Sequence, residues 1–175
     1  MTNTQPEQAR LAPDYVAPAT NKGSYFKPTE EKTKIRVLGS PITGYVDWDN
    51  SKPVRTKEKP AKNFNDEKPA KHFRAFPIWN YNKQEMQIWE VTQASIREQF
   101  TTLINGEWGD PRDYDLVVYK TGKDLETKYF LTTTPDGKKE VSPEITQVRV
   151  DTKLDLNQLY TGGNPRNPTE EEAKF

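Results

Sequence analysis

The run from His72 to Val91 constrains the fold more than any other part of the chain. It reads His72-Phe-Arg-Ala-Phe-Pro-Ile-Trp-Asn-Tyr81, then a polar Asn82-Lys83, then Gln84-Glu-Met-Gln-Ile-Trp-Glu-Val91. Aromatic and β-branched residues on both sides of a short polar turn fit a pleated surface, so the run predicts a β-hairpin. Pro77 lacks the N–H that a ladder needs, which predicts a sheet edge or a bulge at that point. Thr92 then stands where it can cap a helix whose apolar residues Ile96, Phe100, Leu103 and Ile104 share one face, with Asn105-Gly106 as its stop.

Weaker strand signals flank this core. Upstream, Ile35 and Val37 lie within residues 34–38, and Tyr45 and Val46 within residues 43–48, with the breaker Gly39-Ser-Pro41 between them. Downstream, Leu116, Val117 and Val118 mark a strand over 114–120, and a turn over 121–127 leads to another over 128–134. About three strands, one helix and two more strands is the order of a five-stranded OB-type barrel, with its helix between strands 3 and 4. An SH3-like barrel or an α+β sandwich takes the same elements less naturally. Beyond Pro135 a sparse apolar series (Val141, Ile145, Val148, Val150, then Leu154, Leu156, Leu159 and Tyr160) allows one further strand and a short helix. The expected fold class is mainly β. A flexible N-terminal arm covers 1–32, the barrel domain 33–160 with a basic loop insertion at 52–71, and a flexible acidic tail 161–175.

Composition narrows the chemistry. Only 32% of residues are apolar while 30% are charged and 14 are proline, so part of the chain cannot pack a core, and the ends are the expected place for it. The 26 basic and 26 acidic residues cancel, and any electropositive surface must come from segregating them. With no cysteine there is no disulfide, thiolate nucleophile or cysteine-held zinc, and His72 is the only histidine. Catalysis would have to run on carboxylates, lysine or tyrosine alone. Asp110, Asp113 and Asp115 stand at a Gly-Asp-Pro turn leading into a strand, where Asp serves turn geometry. The expectation is no enzyme, no cofactor and no metal. Residues 1–10 lack an apolar signal core, and nothing approaches about 18 consecutive apolar residues, so a cytoplasmic protein without a membrane partner is expected.

The charges do segregate. Lys52, Arg55, Lys57, Lys59, Lys62, Lys68, Lys71 and Arg74 face only Glu58, Asp66 and Glu67 over residues 52–74, a local excess of about five positive charges available for phosphate contacts. Phe64, Phe73, Phe76, Trp79 and Tyr81 stand in or beside this stretch, and rings interleaved with cations are what sequence-tolerant single-strand binding requires. Period-two alternation divides Phe73 and Trp79 from Arg74 and Phe76, so both sets cannot face a ligand, and strand aromatics serve cores as readily as platforms. Trp48, Trp89 and Trp108 read as core or hinge residues, and His72 as a residue of a loop edge. Within the basic stretch, Glu58-Lys-Pro-Ala-Lys-Asn-Phe64 recurs as Glu67-Lys-Pro-Ala-Lys-His-Phe73 with six of seven positions matching. This is either a tolerated duplication in a loop or a doubled contact element. In the second hairpin Tyr119, Lys120, Lys123, Lys128 and Tyr129 complete the candidate nucleic-acid-binding set, because the loop between the last two strands of an OB fold runs along its groove.

Four stretches carry a resemblance: Lys71 to Tyr81, Ile88 to Ile96, Trp108-Gly-Asp-Pro-Arg-Asp-Tyr-Asp115, and Lys120-Thr-Gly-Lys-Asp-Leu-Glu-Thr-Lys-Tyr129. Together, over about residues 25–134, the chain resembles the single-stranded DNA-binding replication proteins of tailed bacteriophages. The resemblance implies an OB core that coats single-stranded DNA during replication or recombination in the host cytoplasm, with no structural zinc because cysteine is absent. Glu170-Glu-Glu172 and the terminal Phe175 resemble the acidic, aromatic-ended tails of such proteins, which implies capture of a polymerase, helicase or primase. An RNA-binding OB module and a structural adaptor of a replisome or virion remain the alternatives.

Overall fold

In the computed structural model, residues 25–64 and 68–166 are described. They form a mainly β structure of seven strands in one open antiparallel sheet with a few helices. The strands are β1 (Thr33–Val37), β2 (Ile42–Asp49), β3 (Lys52–Thr56), β4 (Lys71–Asn80), β5 (Glu85–Val91), β6 (Tyr114–Thr121) and β7 (Lys128–Lys138). Helix α1 (Ala94–Asn105) follows β5, while α2 (Pro143–Thr152) and α3 (Gln158–Thr161) follow β7.

The expected hairpin at 72–91 is present as β4 and β5, paired from Arg74↔Val91 to Asn80↔Glu85. The other edge of β4 is shared. Its first half pairs with β2, from Ile42↔Ala75 to Val46↔Lys71, and its last residues pair with β1 at Ile35↔Asn80, Arg36↔Trp79 and Val37↔Ile78. β1 and β2 thus act as one bent strand, and its break falls opposite Pro77. The missing proline N–H meets no acceptor there, while its carbonyl still accepts from the Leu38 N–H at 2.8 Å. β1 continues into β6 (Thr33↔Val118, Ile35↔Leu116), and β6 into β7.

β3 lies where a loop was expected. The residues joining it to β2, Asn50 and Ser51, both have positive φ (48° and 69°), the conformation of a two-residue hairpin turn matched to strand twist. The helix begins after Gln93, not Thr92, and neither side chain caps it. The expected further strand after Pro135 is absent, and residues 143–152 are helical instead. Order also begins before Thr33: Phe26 donates its N–H to the Ile88 carbonyl, and its ring meets Trp89 edge-on at 5.4 Å.

Alternation gives β4 two buried faces. Phe76 and Ile78 point into the main core with Ile35, Val37, Trp89, Ile96, Phe100, Leu116, Val118 and Leu131. Phe73, Ala75 and Trp79 point the other way, where the chain after β7 covers them: Leu156 and Leu159 over Phe73 and Ile88, Ile145 over Trp79 and Met86. Residues 161–166, expected as free tail, belong to this cover, since Pro165 is buried and the Arg166 guanidinium donates to the Met86 carbonyl. Helix α1 stands beside β7. Its Gln99 side chain receives the Leu131 N–H at 2.8 Å and donates to the Tyr129 carbonyl at 2.9 Å, satisfying backbone groups on a strand edge.

Candidate nucleic-acid interface

The β2–β3 turn pushes Trp48 outward. Asp47, just before it, is buried and ties two segments together: one oxygen accepts the Trp48 N–H at 2.8 Å and the other the Phe64 N–H at 2.9 Å. This anchors the loop after β3 to the hairpin and leaves Trp48 53% and Phe64 58% exposed. Rings that large are rarely left so open without use when they share a concave surface. They line one cleft of about 930 Å³ together with Asp49, Lys68, Pro69 and Lys71. The Asn63 side chain accepts the Ala70 N–H at 3.3 Å and closes the loop at its base.

The sequence repeat gains a structural meaning here. Its first copy places Phe64 in the cleft, while the second places Lys68 and Lys71 on the same cleft and buries the corresponding Phe73 completely. The two copies therefore do different jobs and meet in one place.

The aromatic platform expected on β4 is not there. Phe73, Phe76 and Trp79 are 0%, 4% and 6% exposed, because both faces of that strand are covered. Arg55 is held by Glu90 at 2.5 Å, and Lys57 lies over the Tyr160 ring at 5.3 Å. Tyr81 donates its hydroxyl to Asp115 at 2.8 Å and carries Lys34 over its ring at 4.6 Å. Lys52, Lys59, Lys62, Lys123 and Lys128 are exposed and free to face solvent.

A second aromatic surface lies on the outer side of β6 and β7. Tyr119 and Phe130, directly opposite in register, stack at 4.9 Å with their planes 15° apart, and Lys32 sits over Tyr119 at 5.3 Å. Lys120 is half-buried, with its N–H donated to the Thr29 carbonyl, and Tyr129 packs inward against the main core.

Sequence reasoning missed Trp48, Lys68 as a cleft residue, Phe130 and Lys32. The available signal for Trp48 was its position between Asp47 and Asp49 just before Asn50-Ser51, a hairpin end where a core tryptophan has nothing to pack on. The tail residues Glu170, Glu171, Glu172 and Phe175 lie outside the described residues. Among the described residues no group of three or more His, Asp or Glu is placed to hold a metal ion, and no helix is long and apolar enough to cross a membrane.

No protein-family model, no curated protein and no solved structure matches the chain.

Proposed function

We propose that the chain binds single-stranded DNA without catalysis, stacking bases on Trp48 and Phe64 while Lys68 and Lys71 meet the phosphates. The observation that carries this reading is the cleft itself: two exposed rings and two cations on one concave surface, the pairing that strand binding uses. The Tyr119–Phe130 stack with Lys32 offers a second platform of the same chemistry. Strand order lends support. Read across the sheet as β5, β4, the bent β1–β2, β6 and β7, it is compatible with an OB-type arrangement left open between its third and last strands, with β3 as an added strand. The coating of DNA in phage-type replication or recombination rests on the family resemblance.

The test is a titration of intrinsic fluorescence with single-stranded DNA, single-stranded RNA and duplex DNA over a range of salt. Trp48 is the most exposed of the indoles described, so its emission should quench on stacking. Binding is expected to favour single-stranded DNA and to fall steeply with salt, as counterion release requires. Trp48→Ala should weaken it by about 1–3 kcal/mol, the worth of one base stack, with little change in salt slope. Tighter binding to duplex DNA, or wild-type affinity in Trp48→Ala, overturns the reading.

A further inference from the structure

Basic residues cluster around two smaller hollows, and they differ in whether their charges are already matched. In the first, of about 580 Å³, Arg36 is held by Asp115, Arg112 by Asp110 and Lys139 by Asp136 and Asp115, while the Lys138 ammonium donates to the Glu107 carbonyl. That cluster is internally neutralised. The second, of about 360 Å³, lies between the start of β4 and the first turns of α1 and is lined by Arg74, Ala94, Arg97, Glu98, Thr101 and Thr102. Among the described residues the Arg74 side chain makes no hydrogen bond or ion pair, and Arg97 has no carboxylate partner.

Arg97 is in an unusual position. Its Nη1 lies 3.1 Å from Nδ1 of His72, and its buried Nε finds no partner among the described residues. A guanidinium can only donate, so Nδ1 is the acceptor and the imidazole is neutral. Burial first, then the charges of Arg97 and Arg74, pull the His72 pKa below its ordinary value. Two guanidinium-bearing side chains thus line one hollow, and Arg97 has an uncharged histidine as its side-chain partner. The first turn of α1, on the same hollow, carries no acidic residue and no side-chain cap.

We propose that Arg74 and Arg97, with the open first turn of α1, bind a phosphate group, and that its source is the backbone of the strand held at the Trp48–Phe64 cleft. Guanidinium forks suit tetrahedral oxyanions, and uncapped helix N–H groups add to them. The assignment of the source rests on the proposed strand binding. Lys71 lines the cleft, and Arg74 follows about 10 Å further along the same strand at ordinary strand rise. The two side chains point to opposite faces, but β5 ends opposite Arg74, so the ladder leaves residues 71–73 unpaired on that edge. Glu98, on the rim, opposes the anion and limits its affinity.

The single histidine makes the test direct. The ring resonances of His72 are followed in the full chain while inorganic phosphate is added at constant ionic strength, and again with an oligonucleotide carrying no terminal phosphate. Both are expected to move them saturably. Arg74→Gln should abolish the response to inorganic phosphate, weaken oligonucleotide binding about tenfold and reduce the salt slope by about 1, whereas Arg74→Lys should restore much of the binding. Glu98→Gln, an exposed change on a helix surface, should tighten both. Oligonucleotide binding that quenches Trp48 but leaves His72 unmoved, with unchanged affinity in Arg74→Gln and Glu98→Gln, overturns the phosphate site and leaves strand binding standing. Movement of His72 by inorganic phosphate, without binding of any oligonucleotide, keeps the phosphate site and overturns the strand as its source.

Discussion

Asp115 on β6 is fully buried, yet it receives Arg36 Nη1 at 3.1 Å, the Tyr81 hydroxyl at 2.8 Å, and the ammonium groups of Lys139 and Lys34 at 3.3 and 3.4 Å. Arg36, 1% exposed, is completed by the carbonyls of Arg112 and Lys139. Burial pushes the Asp115 carboxyl up, but the hydrogen bonds from Tyr81 and Arg36 and the nearby ammonium of Lys139 outweigh it and hold the group below its ordinary value. Burial and the bond to Asp115 in turn raise the Tyr81 phenol well above its usual range, so it stays a donor. Asp115→Ala leaves Arg36 buried without its counter-charge and is expected to cost about 3–5 kcal/mol, read as a lowered urea midpoint. The pH dependence follows in sign. Because the folded pKa is depressed, the unfolded state takes up the proton first as pH falls below about 3.9. The contribution is fully present above that value and is lost as pH drops through the folded pKa. Parallel acid unfolding curves for wild type and Asp115→Asn would overturn this. Turn geometry, the role the sequence suggests for Asp115, belongs instead to Asp110, which accepts the Arg112 N–H at 2.9 Å. Nothing in the sequence pairs position 36 with 115, since that contact exists only once β1 and β6 are neighbours.

Gly44 on β2 has a reason of its own. A Cβ there would lie 2.3 Å from the Thr56 carbonyl oxygen and 3.1 Å from the Phe73 ring, so β3 and β4 both close on the strand at that residue. Gly44→Ala is expected to cost about 1–3 kcal/mol through forced backbone displacement, measured by thermal or urea unfolding. Wild-type stability in that variant would mean that the β2–β3 hairpin yields easily. Hairpins with strong local patterns were legible: β4–β5 and β6–β7 fall close to where aromatic and β-branched runs placed them. β3 was not legible, because Lys52-Pro-Val-Arg-Thr56 carries one apolar aliphatic residue and its pairing depends on Asn50-Ser51 adopting positive φ. The α2 helix is not legible as a helix for a related reason. Ile145 is its one buried residue, too few to set a period of 3.6 against a period of 2. In the candidate site, the cations of the basic stretch and Phe64 stand out from the sequence, but Phe73, Phe76 and Trp79, also assigned to face a ligand, are buried. Alternation says which residues share a face, and it cannot say that both faces of β4 are covered.

At the scale of the whole molecule, the segment after β7 determines whether β4 is a surface strand or a central one. Leu156 and Leu159 are 8% and 3% exposed against Phe73, Ala75 and Ile88, and Ile145 packs with Leu38, Trp79 and Met86. Polar contacts fix the same segment in place. The Tyr160 hydroxyl donates to the Thr43 carbonyl at 2.6 Å, the Asp155 N–H donates to the Pro165 carbonyl at 2.8 Å, and Arg166 reaches the Met86 carbonyl. The main core and this outer layer share β4 and β5, so they are expected to unfold together and not as separable layers. Leu159→Ala should cost about 2–5 kcal/mol, with the larger values if the space left under it stays empty. Tyr160→Phe should cost about 0.5–1.5 kcal/mol, the worth of one hydrogen bond. Ending the chain after Glu140 exposes Phe73, Trp79, Met86 and Ile88 as a contiguous apolar patch, which should bind a hydrophobic dye and promote association. The cleft proposed to hold the strand is built from β2 and the loop before β4 and shares only Val46 with the cluster of Leu156 and Leu159, so Leu159→Ala at a temperature where it remains folded should bind single-stranded DNA nearly as the wild type does. The decisive measurement is unfolding followed by two probes, near-ultraviolet circular dichroism for aromatic packing and far-ultraviolet for the sheet. Coincident transitions in wild type and Leu159→Ala, with the variant's midpoint lowered, are expected. An early loss of aromatic signal while the sheet persists would show that the cover detaches by itself, and that β4 keeps its place without it.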